Sequence, residues 1–240
     1  MAVAAEDQAL YGIVSGMLPA TIDDVIAMME GIDSVLADDD GLKWFNRLYL
    51  SVTQKVDGAP PAGGWKDAAW LLMLDVVFAG LYFKAVAGAL NGENVPSSWQ
   101  ALMESRRRAG VDRIQFALAG MNAHINHDLA FALLATDAQR GVTPAVGSPQ
   151  YLDYEAVNGL LQALMPQTLT MLATDTLGVL AQDTGKVGRL LAFWDICKAR
   201  ELAWGFADYL RGVPGPMQVV AAGAQDQMTG VVGRAILAFV

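Results

Sequence analysis

From Thr21 to Phe239 the apolar side chains recur every three or four residues, and nowhere do they settle into the alternation of a half-buried strand. This periodicity constrains the fold more than any other feature. An amphipathic helix hides its apolar stripe only against another element, and with no strand pattern on offer that element must be another helix. Hydrophobic residues make up 54% of the chain and charged ones 17%, so the stripes are wide and the packing must be close. No glycine/serine linker or block of charge divides the 240 residues. One all-α domain over residues 1–240 is expected, a compact bundle of about seven to nine helices.

The breaks between stripes set the elements. A first amphipathic segment begins at Thr21 or Ile22 and runs to Leu36. Asp38, Asp39, Asp40 and Gly41 form a turn whose aspartates can cap the next helix, which carries Leu42, Phe45, Tyr49, Val52 and Val56 at helical spacing. Gly58–Gly64 is a loop, a strongly apolar helix runs from about Trp65 to Leu90, and Asn91–Pro96 is another loop. Ser97 or Ser98 caps a short helix to Arg108, and a longer helix covers about Val111 to Ala138. After a loop over Gly141–Pro149, a helical pattern extends from Tyr151 to Gln182, where Pro166 should kink or split it by removing a backbone hydrogen bond. The last helices span Val187–Leu210 and Met217–Phe239.

Composition excludes some functions. A net charge of −9 and a pI near 4.6 repel phosphate backbones, which argues against nucleic acid as a partner. The one basic run, Arg106–Arg108, sits at a helix end where it complements the dipole. Cys197 is the single cysteine, so neither an internal disulfide nor a thiolate metal cage can form. Met1–Leu10 has no basic segment before an apolar core and does not read as a signal peptide. The stretch Ala68–Phe83 is short for a bilayer span, is interrupted by Asp75 and is flanked by Lys66 and Lys84, so it is expected to be a buried core helix. These readings favour a cytoplasmic protein with no membrane span.

Within the 111–138 helix, Gly120–Leu129 concentrates polar groups, including both histidines of the chain. Each buried polar group left without a partner costs about 1–3 kcal/mol, so such a cluster marks a site or a deliberate internal network. At about 100° per residue, Ile114, Leu118, Met121, Ile125, Leu129 and Ala132 form one apolar arc. Gln115, Asn122 and Asn126 stack along one flank; His124 and Asp128, one turn apart, lie on the other. His127 lies further round, towards solvent. A histidine with a carboxylate one turn away can serve as a general base with its orienting acid, or as two ligands of one metal ion. The competing reading is a hydrogen-bonded pair with no catalytic duty.

Two further anomalies join this cluster. Asp75 interrupts Leu71–Phe78 and must be paired or protonated if buried; a salt bridge to Arg113 or Arg200 is expected, the alternative being a carboxyl that holds its proton across a pocket from His124. Tyr82, seven residues on, shares the face of Asp75. In Phe193–Trp204, Arg200 falls one turn before Trp204, so the guanidinium could stack on the indole beside one cavity.

Together these elements resemble a bacterial family known as a domain of unknown function, whose hallmark is Gly-Met-Asn-Ala-His-Ile-Asn-x-Asp-Leu. Gly120–Leu129 fits it, with His127 in the variable place. Phe45, Asn46, Leu48 and Tyr49 with Val52 and Thr53, then Leu74 and Asp75 with Phe78, Ala79 and Tyr82, fit as flanking pieces, as do Trp99, Gln115, Arg200 and Trp204. The resemblance spans about residues 22–210. It implies an all-helical fold and a polar site of Asn122, His124, Asn126 and Asp128, with no reaction attached, and makes His124 the functional histidine. Leu81 stands where the family is expected to carry a polar or basic residue, which leaves the pairing of Asp75 open.

The function expected is metal-free acid–base chemistry (cyclisation, isomerisation, or hydration and dehydration) on a small, largely apolar substrate, in the manner of a biosynthetic cyclase. His124 would move the proton with Asp128 orienting it and Asp75 as a further acid, while Asn122, Asn126, Gln115, Tyr82, Arg200 and Trp204 bind the substrate. No cofactor is expected. The alternatives are a single divalent metal on His124 and Asp128, as in a hydrolase or oxygenase, or a ligand-binding bundle with no catalysis. Helical zinc phospholipases need more histidines than two, and a ferritin-like site needs Glu-x-x-His pairs that are missing here. Asp38–Asp40 lacks a second motif to make a terpene-synthase magnesium site, and there is neither a Gly-x-Ser-x-Gly elbow nor a phosphate-binding glycine loop.

Overall fold

A computed structural model describes residues 2–172 and 195–238 of the chain. Among them are ten α-helices, one π-helical turn and no strand. In chain order the helices are α1 (Ala2–Val14), α2 (Ile22–Val35), α3 (Gly41–Gly58), α4 (Ala68–Leu90), α5 (Ser97–Ser105), α6 (Arg113–Ala123), α7 (Leu129–Arg140), α8 (Pro149–Leu172), α9 (Ile196–Gly212) and α10 (Gly215–Ala238). The all-α expectation holds. The count exceeds seven to nine because α1 adds a helix and because the expected 111–138 helix is divided at its centre by a π-turn over His124–Asp128. Pro166 lies inside α8 without splitting it. The expected stretches 173–182 and 187–194, with Phe193 and Trp194, lie outside the described residues.

Local chemistry explains where the helices begin. Thr21 and Asp24 form a reciprocal capping box on α2. Asp40 caps α3 by accepting from the Leu42 amide at 3.0 Å, as its aspartate-rich turn foretells. Asp67 does the same for α4, from Trp70 N–H at 3.1 Å. The start of α5 differs from expectation: the serines do not cap it, and Asp226 of α10 accepts from the Ser97 and Ser98 amides at 2.8 and 3.0 Å instead. At the end of α7, Gly141 adopts the left-handed conformation (φ 64°) that an L side chain resists.

The α6–π–α7 rod is the axis of the fold. Its first half packs on α3, α5 and α10, its second half on α4 and α9, and the buried apolar side chains form one contiguous cluster around it. Close approach relies on missing Cβ atoms: a methyl group on Gly120 would sit 2.6 Å from Phe45 Cβ. The α4 helix is long and apolar enough to cross a membrane, but 56% of its most apolar window is buried against other helices.

Candidate functional site

The π-turn packs on α4, α9 and α10, and it turns His124 inward against Tyr49 of α3. The Leu129 amide bonds back to His124 O, five residues earlier, so the helix widens by one residue there. His124 is 1% exposed. Its Nδ1 lies 3.0 Å from Asp128 Oδ2. Asp128 is buried as well and is held on two other sides: Trp99 Nε1 donates to Oδ2 at 2.9 Å, and His127 Nδ1 lies 2.7 Å from Oδ1. Burial alone would raise the Asp128 pKa, but the contacts with His124 and His127 outweigh it and hold the carboxyl below its ordinary range. Burial lowers the His124 pKa against the opposing pull of Asp128. An ionised Asp128 therefore faces a neutral imidazole whose proton is on Nδ1, and Nε2 keeps its lone pair.

That Nε2 is enclosed and has no hydrogen-bond partner among the described residues. His124 borders a cavity of about 40 Å³ walled by α3, α4, the rod, α8 and α9, with Tyr49, Thr53, Asp75 and Arg200 as its other polar neighbours among the described residues. Two of these also present an orphaned atom: Tyr49 Oη and Asp75 Oδ2 are buried with no partner. Phe78 lies flat against the imidazole, ring centres 3.5 Å apart and planes at 5°, and Tyr49 meets it edge-on at 4.5 Å. Burial raises the Asp75 pKa to about 7 despite the opposing field of Arg200. It pushes the Tyr49 phenol up as well, reinforced by the fields of Asp75 and Asp128. At neutral pH the cavity thus combines a base that lacks a proton with a phenol that keeps its own, and with a carboxyl that holds its proton up to about pH 7.

The structure separates the sequence-derived candidates into two groups. His124, Asp75 and Arg200 border the cavity, and Asp128 stands directly behind His124. The three amides do not converge on it. Asn122 Nδ2 donates to Thr229 O at 2.8 Å, Asn126 Nδ2 donates to Asn122 Oδ1 at 3.1 Å, and Gln115 Nε2 donates to Ile236 O at 2.7 Å. The stacking of these side chains along one flank is correct, but that flank faces the backbone of α10. Tyr82 is also elsewhere, its hydroxyl 3.3 Å from Asn46 Oδ1 and its ring stacked on Trp99. Trp204 packs against Trp70, Tyr151 and Tyr154.

The expected partners of the two charged anomalies change as well. Arg200 lies over the Tyr154 ring at 4.1 Å instead of over Trp204, and its Nε and Nη2 donate to Asn158 Oδ1 and Tyr154 O at 2.8 and 2.7 Å. Asp75 is bridged by neither arginine: Arg113 stacks on Trp44 at 4.0 Å, and Arg200 reaches Asp75 only through its field. Leu81 borders a separate open groove with His127, so it does not bear on the pairing of Asp75. Sequence reasoning passed over Tyr49, Phe78 and Trp99 as site residues. Their presence in the family-like flanking strings was the available signal.

Fold and site define a helical bundle built around an internal histidine–carboxylate pair that closes one end of a cavity. The chain belongs to DUF5995, a family of unknown function, which it matches over residues 22–239. This meets the resemblance seen in the sequence and extends it to the last helix. No curated protein and no solved structure matches the chain.

Proposed function

We propose that this protein is an enzyme performing general acid–base chemistry on a small, largely apolar metabolite, by cyclisation, isomerisation, or hydration and dehydration. One observation carries the reading: His124 Nε2 is an enclosed, unpartnered lone pair on a ring whose other nitrogen is fixed by a buried carboxylate. Leaving such an atom unsatisfied costs about 1–3 kcal/mol, a cost that a substrate proton would relieve. In this reading His124 takes the proton and Asp128 stabilises the imidazolium, while Trp99 and His127 keep the carboxylate from rotating. Asp75, protonated up to about pH 7, returns a proton from another wall, and the Tyr49 hydroxyl donates to a carbonyl or hydroxyl oxygen.

A divalent cation shared by His124 and Asp128 has less support. Imidazole and carboxylate are turned on each other, Trp99 and His127 occupy the remaining carboxylate positions, and among the described residues no three ligating side chains gather to hold a metal.

Incubating the protein with a metabolite extract in the presence of a chelator, and scoring by mass spectrometry for pairs equal in mass or differing by one water, tests the proposal. Wild type is expected to interconvert such a pair, and His124→Ala to lose about 10²–10⁴-fold of the rate. Undiminished turnover in His124→Ala would end the reading. Loss of turnover on chelation would move the site to the metal class.

A further inference from the structure

The His124 cavity does not stand alone. A second hollow of about 50 Å³ adjoins it, sharing Val52, Met121, Leu161 and Ile196 as common wall. The two differ in chemistry. The first has three enclosed polar atoms without partners, His124 Nε2, Tyr49 Oη and Asp75 Oδ2. The second is walled by aliphatic and methionine side chains, such as Leu48, Ile114, Leu118, Leu164 and Met165, with Thr168 as its one polar residue among those described. A guest spanning both would carry a small polar head and a narrow apolar tail.

The head's chemistry follows from the atoms awaiting it. His124 Nε2 can only accept a hydrogen bond, so the head must donate one; the Tyr49 hydroxyl and a protonated Asp75 can donate, so the head must also accept. A hydroxyl group does both with one oxygen. A carboxylate fits less well, having no proton for Nε2 and needing a free cation. Arg200 is already engaged by Asn158 and Tyr154 and shares its field with Asp75. The tail's size follows from the space. At about 10–15 Å³ for each water-sized atom, the joined hollows seat roughly six to nine heavy atoms.

We infer that the paired cavities form a binding site for an unbranched aliphatic alcohol of about five to eight carbons, with its hydroxyl between His124, Tyr49 and Asp75 and its chain along Leu118 and Met165. This rests on the acid–base reading for its relevance to turnover, since a hydroxyl beside a base and two acids is the group that dehydration removes or hydration installs. The binding itself is independent of turnover.

Isothermal titration of the full chain with 1-butanol through 1-decanol tests it. Affinity is expected to rise about three- to fourfold for each methylene added and to level off near eight carbons. Leu118→Phe, which fills the tail hollow, should move that limit to shorter chains. Tyr49→Phe should weaken every alcohol by about fivefold or more, and n-octane should bind far more weakly than 1-octanol. The inference is overturned by any of four results: no saturable alcohol binding, affinity indifferent to chain length, an unmoved limit in Leu118→Phe, or octanoate binding more tightly than 1-octanol. Alcohol binding with a fully active His124→Ala would sink the enzymatic reading alone, and turnover without alcohol binding would sink the ligand class alone.

Discussion

At Asp75 and His124 burial acts on two titrating groups in opposite senses, and the pH dependence of stability should show both. The folded-state pKa of Asp75, about 7, lies above its ordinary 3.8, so its contribution is fully present below the unfolded pKa and is lost as pH rises through the folded one. Asp75→Asn, which mimics the protonated form, should therefore match wild type near pH 4 and exceed it at pH 8 by on the order of 4 kcal/mol. Urea denaturation at the two pH values measures this, and an equal gap at both would contradict it. For His124 the folded pKa falls below the ordinary 6.5 because of burial. Its contribution is present above 6.5 and is lost as pH falls through the lower folded value. The chain has two histidines, so nitrogen-15 histidine spectra contain two rings that single variants can assign. His124 should keep the Nδ1–H tautomer below pH 6.5; an Nε2–H ring at neutral pH would be incompatible with the proposed base.

At the scale of elements, the polar flank of the rod is a clamp for α10. Asn122, Asn126 and Gln115 reach the α10 helix or support the residue that does, Gln225 of α10 donates to Asn126 O at 2.7 Å, and Asp226 of α10 caps α5. Asn122→Ala removes the bond to Thr229 O and strands Asn126 Nδ2, and is expected to cost about 1–3 kcal/mol of stability while leaving alcohol binding unchanged. Calorimetry and titration of the same variant separate the two effects; weakened alcohol binding would place the amide in the site after all. Gly230 lies where α10 crosses α5, and a Cβ there would come within 2.8 Å of the Ser97 backbone. Gly230→Ala should accordingly separate the two helices and lower the melting temperature. The helical stripe of the rod was legible in sequence, because apolar spacing survives a local change of pitch. The π-turn was not, because one extra residue per turn leaves no mark in composition.

For the whole molecule, one buried cation links the N-terminal helix to the rest. Arg106 pairs with Asp7 of α1 and with Asp40 at the head of α3, and Asp40 is 1% exposed. Arg106→Ala would leave that carboxylate with Arg107, 3.6 Å away, as its remaining cation, and is expected to cost about 1–3 kcal/mol read from equilibrium unfolding. α1 precedes the family-matched residues 22–239, so this pair ties a segment outside the family region to a helix inside it. The sequence by itself determined the helical class, the placement of most helices and the pairing of His124 with Asp128, because each follows from interactions within a few residues of chain. It also marked Asp75 as anomalous, since a charge inside an apolar run is visible without coordinates. Only the tertiary structure decided which polar groups share a cavity. Tyr49 comes from α3, Asp75 from α4 and Arg200 from α9, and their meeting depends on how the helices cross. The amides were misassigned for the same reason: a line of buried donors on one helix looks alike whether it meets a ligand or the backbone of another helix, and only packing supplies that partner.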